Sequence, residues 1–495
     1  MDRAETIDRI RQRRDPWDVI VIGGGATGVG CALDAASRGF DVLLLEQHDF
    51  GKGTSSRSTK LVHGGVRYLR QGNISLVREA LRERGRLLKN APHVVHKRAF
   101  VIPCYSVWQK IFYGVGLKIY DLLAGKYAIG RSRMLSRGEV TERLQNIETD
   151  RLRGGVLYYD GQFDDTRLLI DLALTAQKYG AATLNYARVT GLRSNDEGKI
   201  IGVEFEDVEK GELFHAGAKS VINASGVFCD SVRKLSDAEA QPVITYSQGI
   251  HAVFDKKFLP GETALMIPKT SDGRVLFCIP WHDHLLVGTT DTPLDRPTLE
   301  PEALAAEIDF VIETAGEYLT SKPTHRDILS VFAGIRPLVR SGVAAKTSSL
   351  SRGHDLFVDK SGLITITGGK WTTYRRMAED AVNTVIEIAE LPPRQCVTAD
   401  LSITSAEDPE NGEDQDSKIQ VSRDEVVRAV GKEMARTVED VLARRTRVLF
   451  LDARAAVEIA PQVAEIMAGE LGKDIIWVED QVREFKETAR AYSLK

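Results

Sequence analysis

The sequence predicts an α/β fold built from a Rossmann-like domain, an antiparallel β-sheet domain and a C-terminal helical domain, and three observations predict it. A β-branched apolar run over residues 18–22 ends in a glycine-rich turn and leads into a helical pattern, which is the order of a βαβ unit. Short apolar runs alternate with turn residues from about 241 to 330, as strands of an antiparallel sheet do. Near the C-terminus, apolar residues recur every three or four positions, which indicates helices.

The glycine-rich turn predicts a dinucleotide site. It has the spacing G-x-G-x-x-G, in which Gly23 permits the tight turn, Gly25 lets a pyrophosphate approach the backbone, and Gly28 allows close helix–strand packing. A second apolar strand pattern ends at Glu46, whose carboxylate can accept hydrogen bonds from ribose hydroxyls and would repel the extra phosphate of NADP. A turn that only packs two elements is the alternative interpretation.

The rest of the chain favours FAD over NAD. The sequence lacks a second strand–G-x-G-x-x-G–helix unit, which an enzyme passing electrons from NADH to flavin usually carries. Two further segments, 220–226 and 363–370, read as strands running into small-residue turns, and the helix pattern after the second could present its N-terminus to a flavin. The hydroxyl-rich stretch 53–69 suits a loop that binds phosphates and flavin heteroatoms. Ordinary strand–turn and surface-loop explanations of these segments stay open.

Composition and charge exclude several classes of protein. The 495 residues carry 66 Lys and Arg against 70 Asp and Glu, a net charge of −4, which gives no basis for a general nucleic-acid binder. The five cysteines lie far apart without a C-x-x-C pair, so no metal site and no redox dithiol is predicted. The apolar run 19–33 is interrupted by glycines and no cleavage site follows it. We therefore expect a cytoplasmic protein without a transmembrane helix.

The chain divides into five predicted parts. An acidic, breaker-rich linker precedes Ser422 and Glu425, which form a capping box at the start of the helical domain. The parts are a discontinuous FAD-binding domain (15–95, 150–240 and 330–398), a basic amphipathic cap (96–149), a substrate domain (241–329), a linker (399–420) and the helical domain (421–495).

The cap contains a segment that predicts membrane contact. Apolar residues recur at helical spacing from Trp108 to Leu123, and lysines and arginines lie among and after them. A basic amphipathic helix with an aromatic residue can lie in a membrane interface. The alternative is a helix packed on the protein's own core, and Gly114 and Gly116 weaken the helix.

Five sequence blocks together resemble the aerobic, FAD-dependent glycerol-3-phosphate dehydrogenases of the D-amino-acid-oxidase-like flavoprotein superfamily. The blocks are 22–28 (IGGGATG), 58–69 (STKLVHGGVRYL), 334–337 (GIRP), 368–375 (GGKWTTYR) and 442–447 (LARRTR). The resemblance implies FAD as cofactor, sn-glycerol 3-phosphate as substrate, dihydroxyacetone phosphate as product and a membrane quinone as acceptor. A minority branch of the family uses oxygen, but this chain lacks the long insertion of that branch. Peripheral contact with the cytoplasmic membrane face is implied, and a homodimer stays open.

The resemblance also implies the roles of individual residues. Arginine and lysine side chains would bind the substrate's phosphate, and a neutral histidine would accept the hydroxyl proton, with His63 and His251 both open as the base. A Gly-Thr-Thr-Asp turn, 288–291, would shape the pocket. The candidate catalytic residues are His63, Arg67, His251, Arg336, Arg352 and Lys370. The candidate FAD-binding residues are Ile22, Gly23, Gly25, Ala26, Thr27, Gly28, Glu46, Gln47, Thr54, Ser55, Ser58, Thr59, Lys60, Leu61, His63, Gly64, Gly65, Ala224, Ser225, Gly226, Gly334, Gly369, Lys370, Trp371 and Thr372.

Two other functions stay open on the sequence alone. An amine or 2-hydroxy-acid oxidase on the same fold would recognise a carboxylate and would not need so many cations. A flavin-binding module without catalytic activity would bind the dinucleotide and turn over nothing.

Overall fold

The computed structural model describes residues 1–66, 69, 72–270, 273–340, 353–405 and 420–494. It confirms the predicted α/β fold, with two β-sheets and a C-terminal group of helices. The predicted residues Arg67 and Arg352, and most of the predicted linker, lie outside the described residues.

The strands and helices are numbered here in chain order. The strands are β1 (Trp17–Ile22), β2 (Val42–Leu45), β3 (Leu61–Val62), β4 (Val95–Cys104), β5 (Arg133–Leu135), β6 (Gly154–Phe163), β7 (Ala182–Leu184), β8 (Ala187–Ser194), β9 (Ile200–Asp207), β10 (Glu212–Asn223), β11 (Ile244–Asp255), β12 (Ala264–Ile267), β13 (Leu276–Trp281), β14 (His284–Gly288), β15 (Thr292–Leu294), β16 (Ile328–Val339), β17 (His354–Val358) and β18 (Ile364–Gly368). The helices are α1 (Arg3–Gln12), α2 (Ala26–Ser37), α3 (Ile74–Asn90), α4 (Val107–Ala124), α5 (Arg137–Arg143), α6 (Asp165–Lys178), α7 (Cys229–Ser236), α8 (Ala305–Gly316), α9 (Tyr374–Ile388), α10 (Arg423–Glu433), α11 (Val448–Leu451), α12 (Ala453–Leu471) and α13 (Ile475–Ala489).

The first sheet places the glycine-rich turn at one edge. Its strand order is β17-β18-β10-β1-β2-β7, and β9 and β8 continue from β10. Strand β1 runs parallel to β10 and β2, with Ile22 in register with Asn223 and Leu45. Because parallel strands end at the same edge of a sheet, the residues that follow them, among them Glu46 and Ala224, meet where α2 begins.

The second sheet is antiparallel except where β4 and β12 pair in parallel. Its order is β15-β11-β14-β13-β12-β4-β6-β3, with β16 on β11 and β5 on β6. This sheet includes strands from the predicted substrate domain (241–329) and also from the segments assigned to the cap (96–149) and to the FAD-binding domain. Local patterns show that a segment is a strand, but pairing between distant residues decides which sheet the strand joins.

The C-terminal helices begin as predicted. Ser422 Oγ accepts a hydrogen bond from the Glu425 N–H at 3.2 Å, and the Glu425 carboxylate accepts from the Ser422 N–H at 2.8 Å, which completes the capping box of α10. Buried ion pairs join this domain to the first sheet's loops: Arg444 and Arg445 contact Asp49 at 2.6 and 2.8 Å. Helix α1, before residue 15, was not predicted.

Helix α4 occupies the predicted amphipathic segment. Its buried face includes Gly114, Leu117 and Tyr120. Its opposite face leaves large apolar side chains exposed, including Trp108 and Leu122, each 80% exposed. Across the ranges that the structure describes, no helix combines the length and the apolar character needed to cross a membrane.

Candidate active site

A cavity of about 550 Å³ opens at the edge where β1, β10 and β2 end. One wall consists of the turns that follow these strands. The opposite wall comes from the second sheet and includes Gly249, His251, Gly334 and Arg336. Such crevices at the carboxyl ends of parallel strands are where nucleotides bind in open α/β sheets.

The N-terminus of α2 forms one end of this cavity. Gly23 has φ +110°, a left-handed conformation that favours glycine. The N-cap residue is Gly25, which has no side chain to occupy the N–H groups of the first turn. Ser55 Oγ lies beside this turn and accepts from the Ala26 N–H at 2.9 Å. The arrangement fits a pyrophosphate, because amide donors and the positive end of the helix dipole face the same space.

Glu46 stands where a ribose would lie. One carboxylate oxygen accepts from the Gly24 N–H at 2.6 Å, and the other from the His48 N–H at 2.8 Å. These two bonds fix the carboxylate at the end of β2 and leave it further lone pairs for hydroxyl donors. Burial raises the pKa of Glu46, and the two backbone bonds oppose that rise.

The other end of the cavity is closed by three loops that bond to one another. The indole N–H of Trp371 donates to the Ser55 carbonyl at 2.8 Å. The His63 N–H donates to Thr372 Oγ1 at 3.1 Å, and the Thr54 hydroxyl donates to the Ile335 carbonyl at 2.7 Å. This framework would hold the flavin ring between the loops.

A smaller cavity of about 150 Å³ adjoins the first one. His63 and Arg336 line both cavities, and the smaller one also includes Arg274, Asp160 and the predicted pocket turn Thr289, Thr290 and Asp291. The Arg336 guanidinium donates to Thr289 Oγ1 at 3.0 Å and to the Thr290 carbonyl at 3.2 Å. These bonds fix a cation at the boundary, where a small anionic substrate would lie against the ring.

The two candidate histidines occupy different positions. His251 lines only the larger cavity; its Nε2 lies 2.9 Å from Thr59 Oγ1 and its ring stacks on Phe332 at 5.1 Å. Burial, and then the positive charges of Arg336 and Lys60, hold the pKa of His251 well below its ordinary value. His251 is therefore neutral near pH 7.

Most of the predicted site residues that the structure describes line the larger cavity; four of these described residues, Gly28, Lys60, Gly64 and Gly65, do not. Gly28 packs against Gly23 below the turn, as its predicted packing role requires. Gly65 lines the smaller cavity, and the Gly64 N–H donates to the Tyr120 hydroxyl at 2.8 Å.

Lys60, one of the predicted FAD-binding residues, lines neither cavity. The ammonium is fully buried, contacts Asp165 at 2.8 Å and donates to the Ser56 carbonyl at 2.6 Å. The aromatic rings of Trp281, Phe332 and Phe450 surround it. Lys60 is a buried ion-pair partner because burying its charge requires such partners.

Some lining residues were missed in the sequence. Strand β8 contributes Ala187, Arg188 and Val189 to the larger cavity beside the end of β2, and no motif distinguishes them from other strand residues. Arg274 was also missed, although a cation just before the predicted strand Val275–Ile279 was a usable signal.

Two family models together match nearly the whole chain. The family described as "FAD dependent oxidoreductase" matches residues 18–375, and the "C-terminal domain of alpha-glycerophosphate oxidase" matches residues 367–477. The chain is 39% identical over 540 aligned residues to the mitochondrial glycerol-3-phosphate dehydrogenase of Homo sapiens, covering 97% of this chain and 74% of the relative.

Two solved structures share the fold of this chain. The glycerol-3-phosphate dehydrogenase from Bacillus halodurans complexed with FAD superimposes with a TM-score of 0.79 at 28% identity, covering 99% of this chain and 97% of that one. The FAD-bound L-alpha-glycerophosphate oxidase from Mycoplasma pneumoniae gives a TM-score of 0.59 at 18% identity over 75% of this chain and 95% of that one, a likeness of fold alone.

Proposed function

The chain belongs to the FAD-dependent glycerol-3-phosphate dehydrogenases, and from that premise we propose which residues hold the flavin, bind the substrate and accept the proton. The activity is FAD-dependent oxidation of glycerol 3-phosphate to dihydroxyacetone phosphate. The observation that supports the assignment of roles is the pair of adjoining cavities, a larger one at the glycine-rich turn and a smaller one that includes Arg274, with His63 and Arg336 in both.

The protein's part in the reaction is binding, orientation and proton transfer. Bound FAD supplies the acceptor for the hydride that leaves C2 of the substrate. Gly25 and the first turn of α2 would bind the pyrophosphate, and Glu46 the ribose hydroxyls. Arg336 and Lys370, which both line the larger cavity, would bind the substrate's phosphate, because two cations match a dianion.

We propose His63 as the base that accepts the C2 hydroxyl proton. His63 borders both cavities, whereas His251 borders only the larger one and contacts Thr59. Because it lines both cavities, His63 lies at the boundary where substrate and flavin would meet, which is where a general base must act.

Replacing His63 with Asn should lower the rate of flavin reduction at pH 7 by about 10²-fold or more, since a positioned base contributes about 10²–10⁴-fold. The matched variant His251→Asn should lower it by less than about tenfold, because His251 lines the larger cavity and not the smaller one. Anaerobic stopped-flow absorbance measures both rates. A larger loss in the His251 variant would assign the base to His251.

The proposed activity is tested by anaerobic bleaching of the yellow protein. Glycerol 3-phosphate should bleach the flavin rapidly, while a 2-hydroxy acid or an amino acid should not. Bleaching by the carboxylate substrates instead would favour an oxidase of that class. No bleaching by any of them would favour a binding module without catalytic activity.

We further propose that α4 contacts the membrane and that a membrane quinone accepts the electrons. Its exposed apolar face and adjacent lysines support this proposal, since such a helix gains free energy by burying its apolar face at an interface. A quinone is a membrane lipid, so this contact would also bring the enzyme to its acceptor, at the periphery of the cytoplasmic membrane face.

Changing Trp108, Ile111 and Phe112 together to Glu should release the protein from anionic phospholipid vesicles in a flotation assay, with turnover of a soluble dye retained. The control changes Ile475 and Ile476 to Glu; these are also exposed, 66% and 63%, but lie on α13. Unchanged vesicle binding by the α4 variant would refute the membrane proposal.

A further inference from the structure

Helix α4 has an inner face that reaches the candidate active site. Tyr120 lies on this face and is only 2% exposed, although the opposite face of the same helix is open to solvent. Tyr120 does not line either cavity. Its phenol instead contacts the backbone of the turn formed by His63 and Gly64.

The phenol makes two kinds of hydrogen bond. It accepts from the Gly64 N–H at 2.8 Å and donates to the Asp160 carboxylate, whose oxygens lie at 3.0 and 2.9 Å. Arg84 donates to the same carboxylate at 2.7 Å, which fixes Asp160 from the other side. Burial, and then the charge of Asp160, raises the pKa of Tyr120 well above its usual value, so the phenol keeps the proton that it donates.

The turn is held from both sides. The His63 N–H donates to Thr372 Oγ1 at 3.1 Å, while Tyr120 binds the next amide. The fit around Gly64 is tight, because a Cβ there would lie 2.5 Å from the Tyr120 oxygen and 2.6 Å from Leu81. The side chain of His63 therefore leaves the backbone at a point whose position Tyr120 and Thr372 determine together.

We infer that Tyr120 is a positioning residue for the oxidation reaction, which acts by fixing the His63–Gly64 turn at the boundary of the two cavities. The inference rests on the proposed role of His63. Small displacements of a catalytic group reduce rates even where binding survives, since the reacting atoms must lie within a narrow range of distances. Tyr120 lines neither cavity and would act only through the turn.

The test is Tyr120→Phe, which keeps the ring and removes the hydroxyl. We expect the limiting rate of anaerobic flavin reduction by glycerol 3-phosphate to fall about 3- to 10-fold, the range for one lost buried hydrogen bond. The dissociation constant for the substrate should stay within about twofold, because the phosphate-binding cations are unchanged. The matched control is Tyr105→Phe. Tyr105 lies just before α4 and its hydroxyl donates to the Glu148 carbonyl, so removing this hydroxyl should leave the rate unchanged.

A second measurement does not depend on activity. Hydrogen exchange followed by mass spectrometry should show faster exchange in peptides covering residues 61–66 in the Tyr120 variant and not in the Tyr105 variant. The Gly64 amide would lose its 2.8 Å bond to the phenol and keep only the longer contact, 3.4 Å, with the Asp160 carboxylate. If glycerol 3-phosphate does not bleach the flavin of the wild-type protein, the proposed function fails. The exchange measurement still tests whether Tyr120 fixes the His63–Gly64 turn. Unchanged exchange at 61–66, or an unchanged reduction rate in variant enzyme that retains its flavin and its melting temperature, would overturn the inference.

Discussion

Replacing Arg336 with Ala is expected to reduce kcat/KM for glycerol 3-phosphate by about 10³-fold, by raising KM strongly and lowering kcat, with the flavin still bound. The guanidinium lies at the boundary of the two cavities, held by Thr289 and Thr290. Each charge-assisted hydrogen bond to a phosphate contributes roughly 1.5–3 kcal/mol. Losing two of them costs roughly 3–6 kcal/mol, which is about 10²–10⁴-fold.

Steady-state kinetics with a soluble dye give kcat and KM, and the flavin content of the purified protein shows whether the cofactor is still bound. Together they test this prediction. Arg340→Ala is the matched control, because Arg340 follows β16 directly, bonds to the Ile244 carbonyl and lines neither cavity. Near-normal kinetics in the Arg336 variant would remove this residue from the substrate site.

The second large effect is expected from Gly28→Ala, which should yield protein without bound flavin. A Cβ at this position would overlap the carbonyl oxygen of Gly23, which belongs to the backbone of the turn. The helix would have to move away from β1, and the amides that would face the pyrophosphate would move with it. The visible absorbance of the purified protein, which is yellow when flavin is bound, reports the loss.

Gly431→Ala is the control for this variant. Gly431 also lies within a helix, α10, and a Cβ there would meet open space. That protein should keep its flavin and be slightly more stable, because Ala favours helix over Gly by about 1 kcal/mol. A yellow Gly28 variant with normal flavin affinity would show that the close packing beneath the turn is not required.

The dinucleotide end of the site could be predicted from the sequence because its determinants are local. Gly23, Gly25 and Gly28 lie within one short turn of the chain, and Glu46 follows at the end of the next strand, so their spacing alone specifies the βαβ geometry. The capping box at Ser422 is local in the same way.

What the sequence did not reveal depends on contacts between distant residues. The polar loop containing Lys60 suggested a ligand, but its ammonium is neutralised by Asp165, more than a hundred positions away in the chain. The strands β4, β6 and β16 join the second sheet through pairing that local alternation cannot specify. Tyr120 was one polar residue in an amphipathic pattern, and only the folded chain places its hydroxyl on Gly64.

We propose that the smaller cavity, which is lined by Arg274 and Arg336, selects a phosphorylated three-carbon alcohol. This claim is tested most directly by comparing glycerol 3-phosphate with glycerol. The measurement is the second-order rate constant for anaerobic reduction of the bound flavin by each alcohol. We predict a constant at least about 10³-fold greater for the phosphorylated substrate, since the phosphate provides several charge-assisted contacts. Equal constants for the two alcohols, in protein that carries its flavin, would contradict the claim.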